Sequence, residues 1–340
     1  MSQLRFDPLQ QRWVIITSGR AKQPSDFFVD REAVRMAFSP FSGGNEARTP
    51  PEVFAIRPGD GGANTEGWSV RVVPNKFPVL GIEGETSIQE DGSNEWMEGV
   101  GVHEVVIESP DASLDLADLS PEHVTMVFDA CRARMRDLVQ DRRLRYLLVF
   151  KNHGVEAGST IPHSHTQIIG LPVTPSTLRL ELNASRDHFK ASGSCLFCDR
   201  LAEEAPGDRI VAENEHCVAF APFASRFPFE VTIAPKVHAH RFEMSSDPVH
   251  NAFGELVHNV LQRIKTVLKD PPYNFALHTG PNVEAIPRPS DHWKTLEHDF
   301  HWHLEIIPRL TQVAGFEWGT GFYVNSMPPE AAAAFLRDAT

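Results

Sequence analysis

The sequence predicts an α+β fold in which two similar halves each supply an antiparallel sheet with helices on one face. Each half shows strand-like segments, then a helical segment, then two more strand-like segments. The last segment of each half carries the same pattern, HSHTQII at 163–169 and HWHLEII at 301–307. Because the same order of elements precedes both copies, an internal duplication explains the match better than chance does. Few helices lie between the strands, which favours α+β over a doubly wound sheet.

The individual elements follow from local patterns. In the first half, strands are predicted at 68–80, 103–108 and 147–150, and a helix begins after Ser120, a good N-cap followed by proline. The second half repeats this order with strands at 217–222, 229–235 and 273–278 and a helix over 249–268, where apolar residues recur at helical spacing. Residues 172–194 contain Pro, Ser, Thr and Asn and are expected to link two domains, which we place at 1–175 and 190–340.

Composition limits the class of protein. The 340 residues are 41% hydrophobic and 23% charged, as in ordinary soluble proteins, with a formal net charge of −13. This charge argues against nucleic-acid binding but leaves a phosphorylated small substrate possible. No apolar run is long enough for a membrane span and the N-terminus does not resemble a signal peptide, so a cytoplasmic protein without membrane partners is expected. Four cysteines do not make a disulfide framework.

The first candidate site is the segment around His163 and His165. Alternate residues of a strand share a face, so these histidines and Gln167 are expected on one side. A lone strand histidine is more often structural, but the upstream loop of Gly and hydroxyl residues at 154–160 could offer N–H groups to a phosphate. One imidazole could then attack phosphorus while the other, or a backbone carbonyl, holds its tautomer. Gln167 could donate to a phosphoryl oxygen.

The second candidate site is a metal centre. Cys195 and Cys198 have the C-x-x-C spacing of a zinc site, and no βαβ context supports a redox motif instead. Two further ligands would come from His238 and from the 301/303 histidine pair. A C-x-x-C without metal remains the alternative, and four other histidines compete as ligands: His216, His240, His292 and His298.

Several motifs together resemble the galactose-1-phosphate uridylyltransferase family, a branch of the histidine-triad superfamily. They are RAK at 20–22, VPNKFP at 73–78, the signature at 158–167, C-x-x-C at 195–198 and GFEWGTGFY at 315–323. The resemblance covers nearly the whole chain. It implies two histidine-triad-like halves that form one extended antiparallel sheet, usually in a homodimer. It also implies ping-pong transfer, in which His165 attacks the α-phosphate of UDP-glucose and galactose 1-phosphate then captures the uridylyl group.

The resemblance also assigns roles to residues of this chain. His165 would be the nucleophile with His163 beside it, and Thr160 and Gln167 would stabilise the phosphate. The nucleotide and phosphate contacts would be Asn75, Asn152, Gly158, Ser159 and Arg20. One structural zinc would be bound by Cys195, Cys198, His238 and His301, with His303 as an outside candidate.

Two departures from the family pattern stand out. Ser39, Ser42 and Ala112 occupy positions where many members carry two cysteines and a histidine. Hydroxyls do not replace thiolates toward Zn²⁺, so no metal is expected in the first half, and His163 should be held by hydrogen bonds alone. The segment GFYVN at 321–325 resembles relatives that use other nucleotides or transfer to inorganic phosphate.

The leading interpretation is therefore an enzyme that moves UMP between UDP-glucose and galactose 1-phosphate through uridylyl-His165. An ADP-glucose phosphorylase on the same scaffold is the alternative. A non-catalytic nucleotide-binding protein and a hydrolase are further hypotheses. The expected partners are a nucleotide sugar, a sugar phosphate and a second copy of the chain.

Overall fold

The computed structural model describes residues 2–17, 22–28, 38–204, 207–286 and 293–339. Its strands are β1 (Gln3–Asp7), β2 (Arg12–Ile16), β3 (Phe54–Ile56), β4 (Val70–Pro74), β5 (Gln89–Asp91), β6 (Asn94–Trp96), β7 (Val102–Ile107), β8 (Tyr146–His153), β9 (His165–Leu171), β10 (Ile210–Glu213), β11 (Cys217–Phe220), β12 (Val231–Pro235), β13 (Tyr273–His278), β14 (His303–Pro308) and β15 (Tyr323–Asn325). Its helices are α1 (Pro121–Leu138), α2 (Ser176–Ser192), α3 (Leu196–Glu204), α4 (Asp247–Leu268), α5 (Leu296–Asp299), α6 (Gly315–Thr320) and α7 (Pro329–Arg337).

One large antiparallel sheet runs through both halves. Its order within the described ranges is β10-β11-β12-β14-β13-β8-β9-β7-β4-β3. From its centre outward, the first half reads β8-β9-β7-β4-β3 and the second reads β13-β14-β12-β11-β10, which is the same arrangement. The halves meet where β8 pairs with β13, with Phe150 opposite Ala276. The predicted α+β class and the duplication are thus confirmed.

The main helices cover one face of this sheet. α1 and α4 occupy equivalent places in the two halves and pack against each other. Alternate strand residues such as Val149, Ile168 and Phe275 point into the core that these helices close. Ser120 caps α1 as predicted, since its hydroxyl accepts from the His123 N–H at 3.2 Å. The opposite face of β9 carries His165 and Gln167, two residues of the first candidate site.

Two segments differ from the sequence-based expectation. The expected linker at 172–194 contains α2, whose polar sequence reflects a helix that buries only Leu178, Glu181 and Ser185. The strand of the HSHTQII segment begins at His165, so His163 lies in the approach to β9. At the other end of the chain, β15 joins β1 and β2 in a small separate sheet. No helix in the described ranges is long and apolar enough to cross a bilayer.

Candidate active site and metal centre

His165 has the state that a phosphorus nucleophile needs. It opens β9, which lies between β7 and β8. Its Nδ1–H donates to the backbone oxygen of His163 at 2.8 Å, because a carbonyl can only accept, so Nε2 keeps its lone pair. The side chain is largely buried, and this burial, together with the nearby charge of Lys151, lowers the pKa of His165 to about 4. The ring is therefore neutral near pH 7 and can attack phosphorus.

His163 is held by hydrogen bonds at both ring nitrogens. Its Nε2–H donates to the backbone oxygen of Ser109 at 2.7 Å. Nδ1 is then the acceptor, and the hydroxyl of Ser39 donates to it at 2.8 Å. The same hydroxyl accepts from the N–H of Phe41 at 3.2 Å, and the Phe41 ring packs edge-on against both histidines. Ser39 thus bonds the second ring nitrogen of His163, so both nitrogens are in hydrogen bonds.

His103 connects Gln167 with Asn75, two of the predicted site residues. Its Nε2–H donates to Gln167 Oε1 at 2.8 Å, so Nδ1 is the acceptor, and the amide nitrogen of Asn75 lies 3.4 Å from Nδ1. With its oxygen engaged by His103, the Gln167 amide has its N–H groups as the donors that a ligand could use. We did not predict His103. Its signal is the two-residue spacing of β7, because Val105 lies opposite Gln167 and shares a face with His103.

Several other predicted residues lie at the end of β8 and in the loop that follows it. Asn152 accepts from the Asn274 side chain at 2.8 Å, and the same Asn274 nitrogen donates to the Ala157 oxygen at 2.8 Å, so the second half braces this loop. Gly158 has φ +89°, which a side chain would strain. Ser159 uses its N–H and its hydroxyl inside the loop, bonding the oxygens of residues 154 and 161.

Two predicted residues of the phosphate site remain, and the structure describes one of them. Thr160 is exposed at the end of the same loop. Arg20 lies outside the described residues.

The candidate metal centre brings four predicted ligands together. The donor atoms of Cys195, Cys198, His238 and His301 all lie within 4.8 Å of one another. Cys198 Sγ is 3.4 Å from His238 Nδ1 and 3.3 Å from His301 Nδ1. Both imidazoles donate their Nε2–H to backbone oxygens, of Glu297 at 2.9 Å and of residue 235 at 3.0 Å, which turns Nδ1 inward. Two cysteine sulfurs and two imidazole nitrogens are a donor set that tetrahedral zinc sites use.

Three of the four competing histidines are not part of this group. His216, His240 and His298 belong to none of the ligand groups found among the described residues, and His292 lies outside those residues. His303 joins a separate group with Glu181 and His278.

The second half carries a modified copy of the nucleophile site. His303 matches His165, since its Nδ1 donates to the His301 oxygen at 3.1 Å, and burial lowers its pKa to about 4. Glu305 replaces Gln167 and pairs with Arg226. The ring of Phe197 stacks on His303 at 4.8 Å. A carboxylate and a covering ring disfavour a phosphate ligand at this second copy.

His278 completes this second group as a charged residue. Burial alone would lower its pKa, but Glu181 at 2.8 Å and Glu305 outweigh it and raise the pKa of His278 to about 9. The imidazolium therefore pairs with Glu181 and lies 3.7 Å from Glu305, which Arg226 also pairs with.

Comparisons with known proteins agree with this geometry. Residues 1–175 match the family model described as the N-terminal domain of galactose-1-phosphate uridyl transferase, and residues 108–338 match a domain of unknown function (DUF4921). The ADP-glucose phosphorylase of Arabidopsis thaliana is 35% identical over 99% of this chain and 92% of its own length. The galactose-1-phosphate uridylyltransferase of Thermotoga maritima is 27% identical over 99% of this chain and 98% of its own length.

Solved structures give the same result. An Arabidopsis thaliana ADP-glucose phosphorylase with bound ADP-glucose superposes with a TM-score of 0.83 at 33% identity, covering 100% of this chain and 99% of that one. A uridylyltransferase superposes with a TM-score of 0.75 at 27% identity, covering 100% and 98%. These similarities, together with the duplicated sheet, place the chain in the galactose-1-phosphate uridylyltransferase family of nucleotidyltransferases.

Proposed function

We propose that this protein transfers a nucleoside monophosphate from a nucleoside diphosphate sugar to a second phosphate-bearing substrate, through a covalent nucleotidyl-His165. The observation that carries the proposal is the state of His165: neutral, with Nδ1–H bonded to the His163 oxygen at 2.8 Å and Nε2 carrying a lone pair. A histidine fixed in this tautomer forms a bond to phosphorus without first losing a proton.

The reaction divides into two steps. Nε2 of His165 bonds to the α-phosphorus, the bond to the bridging oxygen breaks, and sugar 1-phosphate leaves with the electron pair. The positive charge that develops on the ring is stabilised by the Nδ1–H bond to the His163 oxygen. We propose that Gln167 and Thr160 donate to the phosphoryl oxygens. The acceptor oxygen then attacks the same phosphorus and frees the imidazole.

We propose that Asn75, Asn152 and the loop at 154–160 hold the nucleotide and its phosphates. Two residues of this loop contribute through its shape: Gly158 has a backbone that a side chain would strain, and Ser159 bonds within the loop. Arg20 stays a candidate cation.

Two donor and acceptor pairs fit this chemistry. UDP-glucose with galactose 1-phosphate is supported by the uridylyltransferase relatives, which extend over nearly the whole chain. ADP-glucose with inorganic phosphate is supported by the higher identity, 35% against 27%, to the Arabidopsis ADP-glucose phosphorylase. Because both relatives would use the same nucleophile, the two activities differ only in the base and in the acceptor.

The test is to trap the adduct. The protein is incubated with ADP-glucose or UDP-glucose labelled at the α-phosphorus, without acceptor, and the labelled peptide is identified by mass spectrometry. His165→Gln should abolish labelling, whereas the matched variant His303→Gln in the second half should retain it. Labelling by neither donor would refute the proposal and favour a non-catalytic nucleotide-binding protein. Steady release of nucleoside monophosphate without acceptor would indicate a hydrolase.

We further propose that Zn²⁺ binds at Cys195, Cys198, His238 and His301 and ties α3 to the strands of the second half. This role is structural, since the four side chains leave no open coordination position for a substrate. The domain limits 1–175 and 190–340, a cytoplasmic location and a homodimer stay predictions. Light scattering of the purified protein tests the homodimer.

A further inference from the structure

A buried ion pair lies beneath the nucleophile, on the helix-covered side of the sheet. Glu108 follows β7 and Lys151 lies on β8, where it is the register partner of Thr166. Glu108 is fully buried and Lys151 is 1% exposed. The ammonium is 2.9 Å from both carboxylate oxygens. Burial would raise the pKa of Glu108, but Lys151 and two hydroxyl donors outweigh it and lower that pKa, so Glu108 is a carboxylate at neutral pH.

The ion pair is bonded to the residues on either side of the nucleophile. The hydroxyls of Ser164 and Thr166 each donate to one oxygen of Glu108 at 2.6 Å. Lys151 also donates to the Ser164 hydroxyl at 2.9 Å and to the backbone oxygen of His165 at 3.2 Å. We call Glu108, Lys151, Ser164 and Thr166 the ionic cluster. Every member of it contacts another member, and three consecutive residues of the chain, 164–166, are fixed by it.

Folding alone gives little reason for this arrangement. Taking two charges out of water costs several kcal/mol, and replacing a buried ion pair by apolar side chains of similar volume is often neutral or stabilising. The backbone ladders of β7, β8 and β9 already hold these strands together. The ionic cluster fixes the position of the peptide groups around His165. This matters because the Nδ1–H of His165 donates to the carbonyl oxygen of the neighbouring His163.

We propose that Lys151 is a positioning residue for nucleotidyl transfer, and that its ammonium, balanced by Glu108, fixes residues 164–166 so that Nε2 of His165 stays aimed at the α-phosphorus. This inference rests on the proposed function. A misplacement of about 1 Å can cost about 10²-fold in rate. We therefore expect loss of the ionic cluster to slow adduct formation about 10- to 100-fold. The affinity for the nucleotide sugar should change little, since no cluster member belongs to the proposed nucleotide contacts.

The charge of Lys151 supports the same role. After burial, it is the next largest cause that lowers the pKa of His165. It therefore helps to keep the nucleophile neutral as well as in place.

The experiment compares two buried ion pairs. Lys151→Met with Glu108→Gln removes the charges of the ionic cluster together, which avoids leaving one buried charge alone. The matched control is Arg134→Met with Glu104→Gln. Glu104 lies on β7 and is buried, like Glu108. It bonds Arg134 at 2.7 and 2.8 Å, and Arg134 also bonds Asp137. Single-turnover adduct formation, Kd for the nucleotide sugar and urea unfolding are measured for both.

We expect the cluster variant to form adduct at least 10-fold more slowly with a similar Kd, and the control variant to keep a rate within about twofold of wild type whatever its stability. A cluster variant within about twofold of wild type, or a control that slows equally, overturns the inference. If the cluster variant does not fold, Ser164→Ala supplies the test, since it removes one contact of Lys151 with the nucleophile segment and should slow the same step several-fold. An unchanged rate in Ser164→Ala would likewise overturn it. Failure of wild type to form any adduct refutes the proposed function instead.

Discussion

Replacing Ser39 by alanine tests how His163 is held by hydrogen bonds. The Ser39 hydroxyl donates to His163 Nδ1 at 2.8 Å, and both side chains are buried. The other ring nitrogen is already committed to the Ser109 oxygen, so rotating the ring or shifting the proton would break that bond. In Ser39→Ala, Nδ1 therefore becomes a buried acceptor without a donor.

The size of the effect follows from this geometry. Leaving a buried acceptor unsatisfied costs about 1–3 kcal/mol of unfolding free energy. The Ser39 hydroxyl also accepts from the Phe41 N–H, so the decrease in unfolding free energy should lie toward the upper part of that range. Because the His163 carbonyl orients the nucleophile, adduct formation on His165 should also slow, by about 10-fold.

Urea unfolding and single-turnover labelling measure both effects. The matched control is Ser42→Ala in the same segment. Ser42, like Ser39, stands where the family resemblance would place a cysteine, but its side chain bonds neither His163 nor His165. We expect Ser42→Ala to stay within about 0.5 kcal/mol of wild type. If Ser39→Ala is no less stable than Ser42→Ala, the hydrogen bond does not hold His163 and the reasoning is refuted.

Three further predictions concern the other parts of the site. Because the pKa of His165 is lowered to about 4, the nucleophile is neutral at pH 7 and protonates only as pH falls toward 4, so kcat/KM should show no acid limb near 6.5. A limb centred at 6.5 would contradict this. His103→Phe should slow adduct formation about 10-fold in single-turnover assays with similar donor affinity, because Gln167 loses the partner that orients its amide. Cys198→Ser should lower bound zinc, measured by elemental analysis, from about one to near zero per chain and reduce Tm; unchanged zinc would exclude this ligand set.

Much of the fold could be predicted because its signals are local. The helix after Ser120 follows from its N-cap, the helix over 249–268 follows from apolar residues at helical spacing, and both occur in the structure. The repeated HxHx(Q/E)II pattern predicted the duplication. Helix α2 was missed because its buried stripe is narrow and includes the polar residues Glu181 and Ser185, so hydropathy alone does not reveal it.

The sequence by itself determined the kind of chemistry: two histidines and a glutamine at alternate positions, a Gly-rich loop and a C-x-x-C pair. Only the tertiary structure decided which groups meet. The register between β7 and β9 places His103 beside Gln167, and β13 places Asn274 beside the loop at 154–160. The physical reason is that side-chain periodicity is a property of neighbours in the chain. The proton state of His165 and the convergence of ligands instead depend on burial, charge and strand pairing between distant segments.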